Sequence, residues 1–136
     1  MTAQSMSTGT VGIVLVSHSA ELAAGAAHLA AQVSGGTVAI IAAGGTDDGE
    51  LGTSAAKVER GLSEAENGSG VVVLPDLGSA VLTVRALLED LPDVTVALAD
   101  APFVEGAVAA TVTAAAGADL TAVAKAAEEA WHARKL

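Results

Sequence analysis

Four short runs along the chain are apolar without a break and rich in β-branched residues: 11–16 (VGIVLV), 37–42 (TVAIIA), 71–74 (VVVL) and 94–98 (VTVAL). None of them alternates polar with apolar positions. A strand with one wet face alternates with period two, so continuous runs of this length predict strands covered on both faces, as in a parallel sheet. The stretches between them carry helical spacing instead.

Residues 19–33 open on a capping-type Ser19 with Glu21 in the first turn. They set Leu22, Ala26, Leu29 and Val33 at inward spacing and stop at Gly35-Gly36. Residues 53–66 repeat the pattern, with Thr53 as cap, Val58 and Leu62 inward and an exit at Asn67-Gly68. A third helix is predicted over 79–91, closed by Pro92, which cannot prolong a helix. Two more are predicted over 104–116 and 120–136. Gly117-Ala118-Asp119 separates them, with Asp119 placed to cap the last.

The predicted order is β-α-β-α-β-α-β-α-α. Crossovers between parallel strands are right-handed, so this order predicts an α/β fold: a three-layer α/β/α sandwich with helices on both faces of a mainly parallel, four-stranded sheet. Residues 11–136 then form a single domain, after a flexible segment over 1–10. In such sheets ligands gather at the carboxyl ends of the strands, near the point where strand order reverses. That rule directs attention to residues 17–19, 43–54, 75–79 and 99–105.

Composition narrows the picture. Without Cys there is no zinc ribbon, disulfide framework or thiol nucleophile. A net charge of -10, with one Phe, one Trp and no Tyr, offers neither the positive footprint nor the stacking platforms of nucleic-acid binding. The first ten residues lack the positive flank and apolar stretch of an export signal. Every apolar run breaks well before the roughly eighteen residues of a membrane helix. The expected location is the cytoplasm, with neither nucleic acid nor membrane as partner.

His18 follows the first strand directly and sits one position before the first helix cap, between Ser17 and Ser19. A helix N-terminus stabilises an anion, and a neutral imidazole nitrogen is a competent nucleophile near neutral pH. The residues alone leave His18 open between a phosphohistidine site, a polar loop residue and part of a metal site. His28, mid-helix, and His132, near the end of the chain, do not help a metal site. Asp76 occupies the equivalent place after the third strand, in Pro75-Asp76-Leu77-Gly78-Ser79. Should that strand neighbour the first, its carboxylate can accept the His18 ring N–H and fix the tautomer. Gly78 and Ser79 would then open a second helix toward the same anion. The alternative is that Asp76 merely turns the chain.

Three features carry less. The glycine-rich loop over 44–54 lacks the GxxxxGK[ST] arrangement that cradles nucleotide phosphates and reads as a mobile wall. Asp47, Asp48 and Glu50 lack the alternate spacing of a calcium loop and read as solvated, so no metal is expected. Glu105 is either an acid matched to its helix dipole or a site residue. No Walker Lys, kinase-type Lys or GxSxG elbow is present, so the chain is equipped neither to bind ATP alone nor for serine hydrolysis. A nucleophile without its own nucleotide site suggests a carrier.

Four segments in order carry a family resemblance: VGIVLVSHSAELAAG at 11–25, IAAGGTDDGELGTSAAKV at 41–58, LPDLGSAVLTVRALLE at 74–89 and APFVEGAVAATVTAAAGADL at 101–120. They resemble the DhaM family, the phosphotransferase subunits of phosphoenolpyruvate-dependent dihydroxyacetone kinases, whose domain is of the mannose-type IIA kind. The resemblance implies that His18 takes a phosphoryl group from HPr, itself charged through Enzyme I. It implies transfer to ADP held on a partner subunit, DhaL, whose regenerated ATP phosphorylates dihydroxyacetone on DhaK. This chain would then bind no cofactor of its own.

Asp76 matches the acid that accompanies the active histidine in related domains. Gly52, Thr53, Gly78 and Ser79 match loops expected around the phosphoryl group, and Ser17 and Ser19 are expected to surround it as the neighbours of His18. Since the sequence stops at Leu136, HPr and Enzyme I are expected as separate proteins, and mannose-type relatives suggest a homodimer. The alternatives are a mannose-type IIA domain feeding a sugar permease, or a regulatory binding module on the same fold. No Lys or Arg occurs in the four strand-end segments. A relay needs a dianion held without a firm clamp, and helix ends supply only about 0.3 to 1 kcal/mol each at exposed sites.

Overall fold

A computed structural model describes residues 9–136. Most of the flexible segment expected over 1–10 therefore lies outside the described residues. The elements are β1 (Gly12–Ser17), α1 (Ala20–Ser34), β2 (Ile40–Gly44), α2 (Ala55–Ala65), β3 (Val71–Pro75), α3 (Gly78–Glu89), β4 (Val96–Leu98), α4 (Phe103–Ala115) and α5 (Leu120–Glu129). A 3-10 turn (Ala130–His132) follows. The strands are parallel in the order β2-β1-β3-β4, the expected α/β sandwich.

Covered on both faces, the central strand β1 is buried at every position, whereas the edge strand β2 leaves Ala42 exposed. The side chains of β1 alternate between two cores. Ile13 and Leu15, with Val72 and Leu74 of β3, pack under α1, α4 and α5 through Ala26, Ala30, Ala107, Ala110, Ala114, Val123 and Ala127. Val14 and Val16, with Val71 and Val73, pack under α2 and α3 through Val58, Leu62, Ala65, Ala80 and Val84. That double coverage is the physical reason for the uninterrupted apolar runs.

The inward face expected for α1 is corrected. Ala23, Ala26 and Ala30 are buried, whereas Leu22, Leu29 and Val33 are 44%, 45% and 54% exposed. Only a small-residue stripe lets this helix lie so close to the sheet edge. A Cβ on Gly44 would collide with the Ser19 carbonyl and lie 2.8 Å from the Ala23 Cβ. A helix apolar on most sides offers more than one inward stripe, and side-chain bulk chose the wrong one.

Two caps move as well. Ser54, not Thr53, caps α2 by accepting the Lys57 N–H at 3.1 Å, because Thr53 is drawn into an isolated parallel bridge with Gly45. α3 begins at Gly78 behind Leu77, which provides no side-chain cap, so Ser79 lies inside its first turn. Asp119 caps α5 as expected, with its carboxylate on the Ala122 N–H at 2.9 Å. The last helix stops at Glu129, short of 136. Beyond it the Trp131 indole N–H bonds the Asp100 carbonyl at 3.0 Å, and Lys135 pairs with Glu105 at 2.6 Å, drawing the tail toward the start of α4. Among the described residues no helix is long and apolar enough to cross a membrane.

Candidate functional site

Strand order reverses at β1: the chain leaves it to form β2 on one side and later β3 on the other. Since Val16 pairs with Pro75 in parallel register, the residues that follow each strand emerge side by side. The Asp76 N–H donates to the Val16 carbonyl at 3.0 Å, which locks its carboxylate beside His18.

That carboxylate takes four donors. On Oδ2 it accepts the Ser17 hydroxyl at 2.9 Å and the His18 backbone N–H at 3.1 Å. On Oδ1 it accepts the Leu77 N–H at 2.7 Å and lies 3.1 Å from His18 Nδ1. Burial pushes the carboxyl pKa up. The bonds from the His18 backbone and ring, the Ser17 hydroxyl and the Leu77 N–H outweigh burial and hold it below the ordinary aspartate value.

The group is thus ionised at neutral pH, and an ionised carboxylate only accepts, so the ring proton sits on Nδ1. His18 Nε2 keeps its lone pair. It faces Ser79 Oγ at 2.5 Å, with the hydroxyl donating. The His18 side chain retains 24% of its exposure, enough for a reagent to reach the ring once the Ser79 hydroxyl rotates away.

The remaining expected residues divide by place. Ser17 is fully buried beneath the ring, donating to Asp76 and accepting the Ser19 N–H at 3.0 Å, so it braces the site from below. Ser19 caps α1 through the Leu22 N–H at 3.1 Å. Gly52 donates its N–H to the His18 carbonyl at 2.9 Å, pinning the 45–54 loop to the back of the histidine. Thr53 keeps a buried hydroxyl with no hydrogen-bond partner. The loop expected as a mobile wall is tied further by Ser54 Oγ to Asp47 at 2.6 Å and by the Thr46 N–H to the Glu50 carbonyl at 2.8 Å. Gly78 and Ser79 open α3, whose first internal bonds are donated only from Ala80 and Val81, both to Leu77. Their own N–H groups therefore have no hydrogen-bond partner among the described residues.

Glu105 is not brought to His18. It sits in the first turn of α4, and the hydrogen bond from Lys135 holds its carboxyl below its ordinary value. His28 and His132 are exposed on α1 and in the tail. Among the described residues no group of three His, Asp or Glu side chains is placed to hold a metal ion.

Two cations that the strand-end segments do not contain arrive from helices. Lys57 of α2 donates to the Gly44 carbonyl at 2.9 Å. Arg85 of α3 lines a cleft of about 410 Å³ together with Asp76, Gly78, Asp100, Phe103 and Trp131. The spacing of Arg85, seven residues and about two turns past Gly78, was the available signal for it. Trp131 had none.

The family model for the PTS system fructose IIA component, EIIA-man, matches residues 12–124. The phosphoryl donor subunit DhaM of PEP-dependent dihydroxyacetone kinase 2 from Listeria innocua is 39% identical over 106 residues, covering 75% of this chain and 84% of that protein. The phosphotransferase subunit DhaM of a PTS-dependent dihydroxyacetone kinase from Lactococcus lactis is 35% identical, covering 84% and 90%. The Escherichia coli phosphoryl donor subunit DhaM is 41% identical over 83% of this chain, which spans 25% of that longer protein. The crystal structure of a protein of unknown function superposes with a TM-score of 0.79 at 34% identity, covering 88% of this chain and 94% of the other.

Proposed function

The chain belongs to the EIIA-man family and, within it, to the DhaM phosphoryl donor subunits, and on that premise we propose that it relays phosphoryl groups through His18 Nε2. The donor is phospho-HPr, and the acceptor is ADP held on DhaL, which recharges the ATP used on dihydroxyacetone bound to DhaK. The observation that carries the reading is the His18–Asp76 pair, with Nδ1 tied at 3.1 Å to an ionised carboxylate and Nε2 left as a lone pair at the uncapped start of α3.

In the first step the Nε2 lone pair attacks the donor phosphorus in line, an N–P bond forms at His18, and the P–N bond to the donor imidazole breaks. The proton on Nδ1 stays in place, and the positive charge that develops on the ring faces Asp76. Ser79 Oγ–H and the N–H groups of Gly78 and Ser79 are the donors nearest to where the phosphoryl oxygens come to lie. Unlike α3, α1 offers a capped N-terminus, so α3 carries most of that stabilisation. Among the described residues no Arg bonds His18, Asp76 or Ser79, which suits a phosphoryl that must leave again. In the second step an acceptor phosphate oxygen attacks, a P–O bond forms, and the electron pair of the breaking N–P bond returns to Nε2. A homodimer working in the cytoplasm belongs to the same reading.

Incubation with phosphoenolpyruvate, Enzyme I and HPr is expected to place an acid-labile phosphate on the protein. Retention of label by a His18→Ala variant sinks the assignment of His18. Discharge to a IIB domain instead of DhaL-bound ADP points to sugar transport, and stable binding to a transcription factor without labelling points to a regulatory module.

A further inference from the structure

The chain has one Phe and one Trp and no Tyr, and both aromatic residues line the same cleft, the one that also includes Asp76 and Gly78 of the histidine site. Trp131 is 60% exposed, an unusual place for a large apolar ring unless something covers it. It is nonetheless fixed. Its indole N–H bonds the Asp100 carbonyl at 3.0 Å, and the Asp100 N–H bonds Glu128 Oε2 at 3.1 Å. The Asp100 side chain is exposed and has no hydrogen-bond partner among the described residues. One wall of the cleft therefore presents a held indole beside a free carboxylate, with a second carboxylate behind. Arg85 of α3 lines the same cleft and makes no ion pair among the described residues.

We propose that this cleft is a docking socket for a Lys or Arg side chain protruding from a protein that exchanges phosphoryl with His18. The inference rests on the relay reading above. A cation over an indole face and next to a carboxylate is a favourable pairing, strongest when water is excluded from the cleft. Charge complementarity selects the occupant: the protein carries a net charge of -10, and Asp100 on this side and Asp47, Asp48 and Glu50 on the other flank the site with carboxylates. A protein seated there brings its reactive group toward Nε2, because Asp76, which bonds His18, also lines the cleft.

The test measures phosphoryl transfer from phospho-HPr to the full chain carrying Asp100→Asn or Trp131→Ala. Asp100→Asn leaves both backbone bonds of residue 100 in place and so guards against a folding explanation. Each variant is expected to raise KM for phospho-HPr about tenfold and to act on KM far more than on kcat, and Asp100→Asn, which removes a charge, to lose part of the salt dependence of kcat/KM as well. Emission of the single Trp is expected to shift as HPr is titrated into the wild-type protein. Phosphoramidate, a small donor that needs no docking, reports whether His18 itself is reachable. Normal labelling by phosphoramidate with KM unchanged in both variants and no shift of Trp emission overturns the socket and leaves the relay standing. Failure of wild-type protein to accept phosphoryl from phospho-HPr overturns both.

Discussion

Replacing Asp76 by Asn is the sharpest perturbation of the site. The carboxylate accepts from four donors, and an amide has only one accepting atom. With the amide nitrogen at the Oδ2 position, it faces the His18 backbone N–H, donor against donor. Turned over, it faces the Leu77 N–H and presses His18 Nδ1 to accept, which moves the ring proton to Nε2 and removes the nucleophile. Either way at least one charge-assisted bond is lost, about 1.5 to 3 kcal/mol. A barrier raised by that amount slows phosphoryl capture by about 10- to 150-fold.

Rapid-quench single-turnover transfer from phospho-HPr measures the rate, and nitrogen-15 NMR of the histidines reads the tautomer directly. A variant within threefold of wild-type rate refutes the reasoning, as does a wild-type His18 whose proton resides on Nε2. The same pair of proteins tests linkage. The folded-state pKa of Asp76 lies below its unfolded value, so its contribution to stability is present above the unfolded pKa and is lost as pH falls through the folded one. The gap in Tm between wild type and Asp76→Asn is expected to be constant near neutrality and to shrink only in that acid window. A gap independent of pH down to the acid transition argues against an ionised, bonded Asp76.

Ser79→Ala removes the hydroxyl that touches Nε2. The half-life of the phosphorylated protein is expected to fall about 2- to 13-fold, the range of one neutral hydrogen bond, and acid-quenched time courses measure it. Gly52→Ala places a Cβ 2.7 Å from Thr46 Cγ2 at a φ of +146°, where L residues are strained. Thermal unfolding is expected to show a loss of about 1 to 3 kcal/mol, with transfer slowed because the loop no longer pins the His18 carbonyl. On α1, Ala30→Leu is expected to cost about 1 to 3 kcal/mol by overpacking, and Leu29→Ala less than about 0.5 kcal/mol. Chemical denaturation in which the two come out the other way round restores the inward face read from bulk.

The existence and order of the four strands were legible because burial on both faces writes itself as runs without alternation, although β2 starts at Ile40 and not at 37 and β4 at Val96 and not at 94, and the switch-point rule then selected the loops that hold His18 and Asp76. The contact between those two depended on β3 lying beside β1, which the order of elements permits but spacing alone does not enforce. The inward face of α1 was illegible for a related reason. Where Ala and Leu both recur at helical spacing, the choice is made by how near Gly44 lets the helix approach, a tertiary quantity. Ser54 displaced Thr53 as a cap because Thr53 was drawn into a bridge with Gly45, a pairing between loop residues that leaves no periodic trace. The cleft lined by Arg85 and Trp131 joins residues more than forty positions apart, and only folding brings them together.

His18 is held by Asp76 at its backbone N–H and at Nδ1 and by the Gly52 N–H at its carbonyl, which leaves Nε2 as the one ring nitrogen for exchange, facing Ser79. A carrier with a single doorway is a matter of traffic. On the proposed reading, donor and acceptor both reach that nitrogen, so each must leave before the other enters. In the relay proposed here, no complex of all three proteins forms around a loaded histidine, exchange follows ping-pong kinetics, and an excess of spent donor obstructs delivery to the acceptor. The ratio of charged to uncharged donor then governs flow through the relay without any separate regulatory site.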